Sequence, residues 1–263
     1  MLERKRVMRE WLARSGVHGA LERLWPGGRR IAITRHRLPA PVREPVRIAH
    51  VTDLHVVRHG TAERQLIERL ADERPDAIVF SGDFTSPDSP PETCGEVLRA
   101  LKAPRGVWTT LGNWDYWHPV RDWPAFLAER GVRLLRNSSA PLVPGVWLAG
   151  LDSAVAGSPD PELALAGVPP GGFAIALIHC PVLFDEVAAA FPLCLAGHTH
   201  GGQIRVPGLR PLYMPAGCWP YSDGWYERHG SRMYVNRGIG TPGLPIRVAC
   251  PPEIAIFTLA PDR

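Results

Sequence analysis

Polar side chains with metal-binding chemistry recur in this sequence where short apolar runs end. Asp53-Leu54-His55 follows RIAHV (47–51), Gly82-Asp83 follows AIVFS (77–81), and Gly112-Asn113 follows GVWTTL (106–111). His179 follows FAIALI (173–178), and Gly197-His198-Thr199-His200-Gly201-Gly202-Gln203 follows LCLA (193–196). Carboxylate, carboxamide and imidazole donors in one set suit borderline divalent cations such as Mn, Fe, Co or Zn better than Ca or Mg alone. Asp53/His55 and His198/His200 are i, i+2 pairs, which an extended backbone would point to the same side. Glycines at 82, 112, 197, 201 and 202 permit tight turns that bring the backbone close to a ligand. Taken singly, the DxH arises by chance, GD and GN are turns, and His179 is a satisfied structural histidine. Two histidines between glycines have little structural value, and the whole ordered set at strand ends predicts a metal centre.

The elements that must position these groups alternate. Helical patterns fall at 61–74, with Leu66, Ile67, Leu70 and Ala71 on one face, at 92–102, near 122–130 and at 182–190. Further strands are VWLAGL (146–151), YVNR (234–237) and EIAIFTL (253–259). Strands alternating with helices predict an α/β fold, and open α/β sheets bind ligands at the carboxyl ends of their strands. The short runs near 132–151 and the C-terminal strands lack intervening helices, which predicts a mixed sheet or a two-sheet sandwich. The proline-rich RLPAPVREPVR (37–47) reads as an extended lead-in, dividing a basic N-terminal segment (1–36), a candidate peripheral helix, from a single domain over 37–263.

Composition bounds the rest. With 263 residues, 45% hydrophobic and 21% charged, the chain is expected to fold around a sizeable core and is not disordered throughout. No apolar run reaches the roughly 18 residues of a membrane-spanning helix. MLERKRVMREW has no apolar stretch after its charges and does not read as a secretory signal. The net charge of +4 is located: residues 1–30 hold eight basic and three acidic groups, a net of +5, so the remainder sums to −1. All but Lys5 and Lys102 of the 30 basic residues are arginine, and no aromatic-interleaved basic stripe suggests nucleic-acid binding. Five scattered cysteines (Cys94, Cys180, Cys194, Cys218, Cys250) argue for reduced thiols and a cytoplasmic setting, with Cys180 and Cys194 as small buried hydrophobes.

The series DLH…GDF…GNWD…H…GHTHGGQ resembles the calcineurin-like metallophosphoesterases over roughly residues 45–260. The ending, GGQIRVPGLRPLYMPAG and YVNRGIGTPGLPIRVACPPEIAIFTL, is similar to a bacterial YkuE/YaeI-like phosphohydrolase branch, whose neighbourhood includes UDP-2,3-diacylglucosamine hydrolases of lipid A synthesis. The resemblance implies a two-sheet β-sandwich flanked by helices. It implies that Asp53, His55, Asp83 and His200 hold one divalent cation and Asp83, Asn113, His179 and His198 a second, with Asp83 bridging. Manganese is the favoured metal, with Fe, Zn and Co as alternatives. A carboxylate has two oxygens to span ions about 3.5–4 Å apart, and hydrolysis would proceed by an activated hydroxide positioned at Asp83. Asn113 would orient the phosphate while adding no negative charge.

One position departs from the pattern: where the family has GNH followed by an acid, this chain has Gly112-Asn113-Trp114-Asp115. The absent histidine would protonate the leaving oxygen, and an indole has no usable acidity for that. General-acid help is worth about 10²–10⁴-fold and matters most for poor leaving groups. Trp114 therefore tilts the expectation toward a pyrophosphate or another activated ester. His118 is a candidate replacement acid, and Trp114 a candidate stacking surface. Tyr221, Trp225 and Tyr226 in PYSDGWYERHG either line a substrate cleft or pack, and Arg205, Arg237 and Arg247 are candidate phosphate contacts.

The leading expectation is thus a dinuclear metal-dependent phosphohydrolase acting on a phosphodiester or pyrophosphate bond of a small or lipid-linked substrate. A broad phosphodiesterase for cyclic nucleotides or glycerophosphodiesters is the alternative, and a metal-free scaffold the alternative of another class. Met8, Trp11 and Leu12 among the basic residues of 1–30 would suit an anionic membrane surface, giving a cytoplasmic protein with peripheral contact to the inner membrane.

Overall fold

The apolar runs are continuous rather than alternating because both faces of each sheet are covered. The computed structural model describes residues 30–56, 60–86, 90–118, 120–211, 213–243 and 246–261. One sheet comprises β1 (Ala32–Pro39), β2 (Val46–Val51), β3 (Ala77–Phe80), β4 (Val107–Thr109), β5 (Val132–Leu134) and β12 (Glu253–Ala260), in the order β1-β12-β2-β3-β4-β5. The other comprises β6 (Ser138–Val143), β7 (Val146–Gly150), β8 (Phe173–Leu177), β9 (Leu193–Ala196), β10 (Gly224–Arg228) and β11 (Ser231–Val235), in the order β10-β11-β9-β8-β7-β6. Both sheets are mixed. In the first, β2 through β5 run parallel while β12 is antiparallel to β2. In the second, β7, β8, β9 and β11 run parallel, flanked by antiparallel β6 and β10.

The sheets face each other across a core of Ile48, Val79, Ala255 and Phe257 from one and Leu148, Ile175, Leu177 and Leu195 from the other. Helices α1 (Thr61–Glu73), α2 (Pro91–Ala100) and α4 (Trp123–Ala128) cover the outer face of the first sheet through Leu66, Leu70, Val97, Leu98, Trp123 and Leu127. The outer face of the second packs Ala164 of α5 (Pro161–Leu165) and Phe184 and Val187 of α6 (Phe184–Val187). The predicted α/β two-sheet sandwich with flanking helices is the observed architecture.

Two details differ from the sequence reading, the 36/37 boundary and the 182–190 helix. The boundary expected at 36/37 falls inside β1, which pairs with β12 in parallel along eight residues, so folded structure is present by Ile31. Residues 1–29, with the expected peripheral helix, lie outside the described residues. At 182–190 only α6 is helical, after a 3-10 turn over Pro181–Leu183. Hairpin β10–β11 closes on His229-Gly230, both left-handed (φ 51° and 78°), a type I′ arrangement usually announced by Asn-Gly or Asp-Gly.

Candidate metal centre

The parallel strands of both sheets end at one edge of the sandwich. Asp53 lies two residues past β2, Asp83 three past β3, His179 two past β8 and His198 two past β9. Asn113 opens the short helix α3 (Asn113–Trp117), four residues past β4. All seven predicted donors converge there.

The backbone achieves this by strain. Asp53 (φ 52°), His55 (φ 43°), Asp83 (φ 61°), His198 (φ 70°) and His200 (φ 51°) all occupy the left-handed region, at a cost of order 1–3 kcal/mol each for non-glycine residues. The i, i+2 pairs thus turn inward because both members are left-handed, which corrects the expectation of extended strands. Close approach explains two of the glycines. A Cβ on Gly112 would lie 2.1 Å from Oδ1 of Asp83, and one on Gly197 2.6 Å from Oδ2 of Asp53.

Two triads of donor atoms result, Asp53/His55/His200 and Asp83/His179/His198, each with its atoms within 4.8 Å of one another. In the first, Nε2 of His200 is 3.3 Å from Oδ1 of Asp53 and 3.2 Å from Nε2 of His55. In the second, Nε2 of His179 lies 3.2 Å from Oδ2 of Asp83, 3.0 Å from Oδ1 of Asn113 and 3.0 Å from Nδ1 of His198. Oδ2 of Asp83 is also 3.6 Å from Nε2 of His55, so one oxygen faces both triads. Its other oxygen, Oδ1, accepts the Trp114 backbone N–H at 2.8 Å. Oδ2 is thus the Asp83 oxygen that faces both triads, while Oδ1 is engaged by the backbone.

The donor set fits metal ions. Nδ1 of His55 donates to the Thr85 carbonyl at 3.1 Å, and Nδ1 of His179 to the Ser81 carbonyl at 2.7 Å. These bonds orient both rings with Nε2 toward the centre, where His55 offers a lone pair and His179 offers one on losing its proton. Imidazole nitrogens facing one another at 3.0–3.2 Å beside a carboxylate are spaced as donors to a shared cation. Burial pushes Asp83 up, but the His179 ring prevails and holds its carboxyl below the ordinary range. His200 does the same for Asp53. Against burial, Asp83 pulls His179 up to about 10, whereas burial pushes His55 and His198 down to about 4.

Asp115 escaped the sequence reading as a supporting group. Its carboxylate accepts the N–H groups of Asp83 (2.8 Å), Phe84 (2.9 Å) and Gly112 (2.9 Å), pinning the β3 and β4 loops together. Burial, and then Asp83, push its pKa up to about 7. The acid three residues after Gly112 is the capping-box spacing, which was the available signal.

The candidate substrate residues divide. Trp114, half-buried, meets the His55 ring edge-on at 5.5 Å and stacks on His118 at 5.3 Å, so both stand at the centre's rim. Tyr221 is buried against Phe184 and Tyr226 and donates to Asp185 at 2.5 Å. Trp225 packs on His36, Tyr234 and Phe257. For both, packing is the role observed. Arg237 is held by Glu253 at 2.9 Å and Arg205 by Asp223 at 3.2 Å. Arg247 is buried, donating to the carbonyls of Gly240 (2.6 Å), Arg237 (2.8 Å) and Gly238 (3.1 Å), 3.3 Å from Nδ1 of His200. All three guanidinium groups are engaged within the chain.

Comparison with known proteins agrees with this geometry. Residues 46–202 match the calcineurin-like phosphoesterase family. The chain is 33% identical over 224 residues to the uncharacterized metallophosphoesterase YkuE of Bacillus subtilis (strain 168), covering 81% of this chain and 78% of that protein. An uncharacterized metallophosphoesterase of Aquifex aeolicus (strain VF5) is 27% identical over 256 residues, 93% of this chain and 95% of that one. YkoQ of B. subtilis, another uncharacterized metallophosphoesterase, is 26% identical over 231 residues, 83% and 85% of the two chains.

Proposed function

The chain belongs to the calcineurin-like phosphoesterase family, and from that premise we propose that it hydrolyses a phosphodiester or pyrophosphate bond with two divalent cations, Mn²⁺ first among them. Asp53, His55 and His200 would hold one cation, Asn113, His179 and His198 the other, with Oδ2 of Asp83 shared. The observation that carries this reading is that His55 and His179, each held through Nδ1 by a backbone carbonyl, aim Nε2 at the same oxygen of Asp83 from either side. When bound, the cations would supply Lewis-acid polarisation of the phosphoryl oxygens and lower the pKa of a water.

The chain's own residues do the rest. The Trp114 N–H fixes Asp83 so that Oδ2 stays between the triads. Asn113 offers a neutral oxygen, so the centre carries two carboxylates rather than three against an incoming anion. No histidine stands at position 114 to protonate a leaving group, and His118 lies stacked on the indole. A leaving group that departs as a weakly basic anion, as in a nucleoside diphosphate, needs no such proton. UDP-2,3-diacylglucosamine is one substrate of that chemistry.

A lipid-linked substrate is supported by placement. β1 begins at the site edge, with Ala32 beside Glu253, whose N–H bonds the Gly238 carbonyl 3.1 Å away. The +5 segment before it therefore joins the body beside the metal centre. Equal sedimentation with anionic vesicles with and without residues 1–30 would remove this part of the proposal.

The deciding experiment is hydrolysis of bis-p-nitrophenyl phosphate and of UDP-2,3-diacylglucosamine after chelation and Mn²⁺ readdition. Turnover that returns with Mn²⁺ and is lost in Asp83→Asn supports the reading, and the ratio of the two substrates separates a diphosphate hydrolase from a broad phosphodiesterase. No turnover of any phosphoester by a chain with bound metal would favour a scaffold.

A further inference from the structure

One cluster beside the centre has chemistry that hydrolysis does not use. Cys180 follows His179 directly, Cys218 comes from the loop before β10, and their sulfurs lie 3.8 Å apart. An imidazole nitrogen of His198 joins them, all three ligand atoms being within 4.8 Å of one another. Both thiols are buried and form, with Met214, a small cluster separate from the main cores. His198 is only half-buried, which leaves the cluster an approach from the site side.

The spacing and the donor type point the same way. Two thiolates on one tetrahedral zinc, with bonds of about 2.3 Å, sit about 3.8 Å apart. The sulfurs are already at that distance. A disulfide of about 2.05 Å would require them to close by nearly half the gap. Two sulfurs and an imidazole select softer cations than the sulfur-free carboxylate–imidazole triads do. Three segments of chain supply the three donors, as a site needs and a chance pair of thiols does not.

We propose that Cys180, His198 and Cys218 bind a thiophilic cation of the zinc class, and that its binding withdraws His198 from Asp83 and His179 and so inhibits hydrolysis. The inhibitory half of this rests on His198 serving the catalytic centre. Binding exchanges the two thiol protons for metal–sulfur bonds and changes no oxidation state.

Cadmium is the probe, added to the Mn²⁺-loaded chain under a phosphine reductant. The expected result is an ultraviolet thiolate-to-cadmium charge-transfer band in the wild type that is lost in Cys218→Ala and in Cys180→Ala. Mn²⁺-supported hydrolysis of bis-p-nitrophenyl phosphate should fall about tenfold or more in the wild type, in line with loss of a metal-positioning group. Cys218→Ala should keep its hydrolysis through the same cadmium addition, which also shows that it is folded. Absence of the band in the wild type, its persistence in Cys218→Ala, or equal inhibition of both proteins overturns the proposal. A cysteine-dependent band in a chain with no Mn²⁺-supported hydrolysis would keep the cation site and discard the phosphoesterase reading and the inhibition with it.

Discussion

The two halves of the metal centre draw on similar donors but sit in different surroundings. Asp53, His55 and His200 are all buried, and behind them Arg247 ties the 237–240 backbone to the His200 turn. Asp83, Asn113 and His179 are equally buried, but their partner His198 is half-exposed and borders two free thiols. The protonation of the two halves differs as well. Burial drives His55 of the closed half and His198 of the open half down to about 4, while in the open half Asp83 keeps His179 protonated up to about 10. A closed half whose three side chains are all buried is suited to retain its cation. An open half must release a proton to take one up, and is suited to exchange.

The sharpest way to break this comparison is to remove what the halves share. Asp83→Asn keeps an oxygen and tolerates the left-handed turn, yet loses the charge facing both triads. The expected loss in kcat/KM is about 10³-fold, or about 4 kcal/mol of transition-state stabilisation, measured on an activated diester. Next in size, Trp114→His restores a titratable group at the rim without touching the N–H that holds Asp83. Cleavage of unactivated alkyl diesters should rise about 10²-fold while diphosphate cleavage hardly changes. No gain on the alkyl diester would sink the leaving-group argument.

Arg247→Leu tests whether the closed half depends on its backing. Cation affinity at one of two sites should fall about 10–100-fold, seen by calorimetry, with the other site unaffected. An equal fall at both would erase the distinction between the halves. The smallest effect concerns protons. His179 must lose its proton to bind a cation, so open-half affinity should rise about tenfold per pH unit below about 10. The sign for stability is opposite in the metal-free chain. A raised His179 stabilises the fold fully below its ordinary 6.5 and ceases to do so as pH rises through about 10. The chelated protein should therefore lose thermal stability across that window relative to the loaded one, by differential scanning calorimetry.

Much of this centre was legible because donors that end apolar runs have few other uses. Hydrophobic runs placed β2, β3, β8 and β9, and the polar residues past them gave the edge where all seven donors meet. Partnership was not legible. Whether Arg237 is free depends on Glu253, 16 residues away, and Arg205 is likewise taken by Asp223 at a separation of 18. Trp225 beside a metal motif looks like a cleft wall until β10 is known to lay it against Phe257. β1 was hidden for a related reason. Arg35 and Arg37 within it read as polar, but an edge strand exposes one side and needs only its pairing with β12.

The left-handed turns at Asp53, His55, Asp83, His198 and His200 also govern how this sequence can drift. A replacement at any of them must satisfy two independent filters, a donor at the tip of the side chain and a backbone that accepts positive φ. Asparagine, aspartate and histidine pass the second filter more readily than branched residues do. Descendants that abandon the chemistry would therefore tend to keep Asn, Asp or Gly at these turns long after the ion is gone. The skeleton of the centre should outlive its reactivity, so inheritance of these turns alone is a weak sign of turnover.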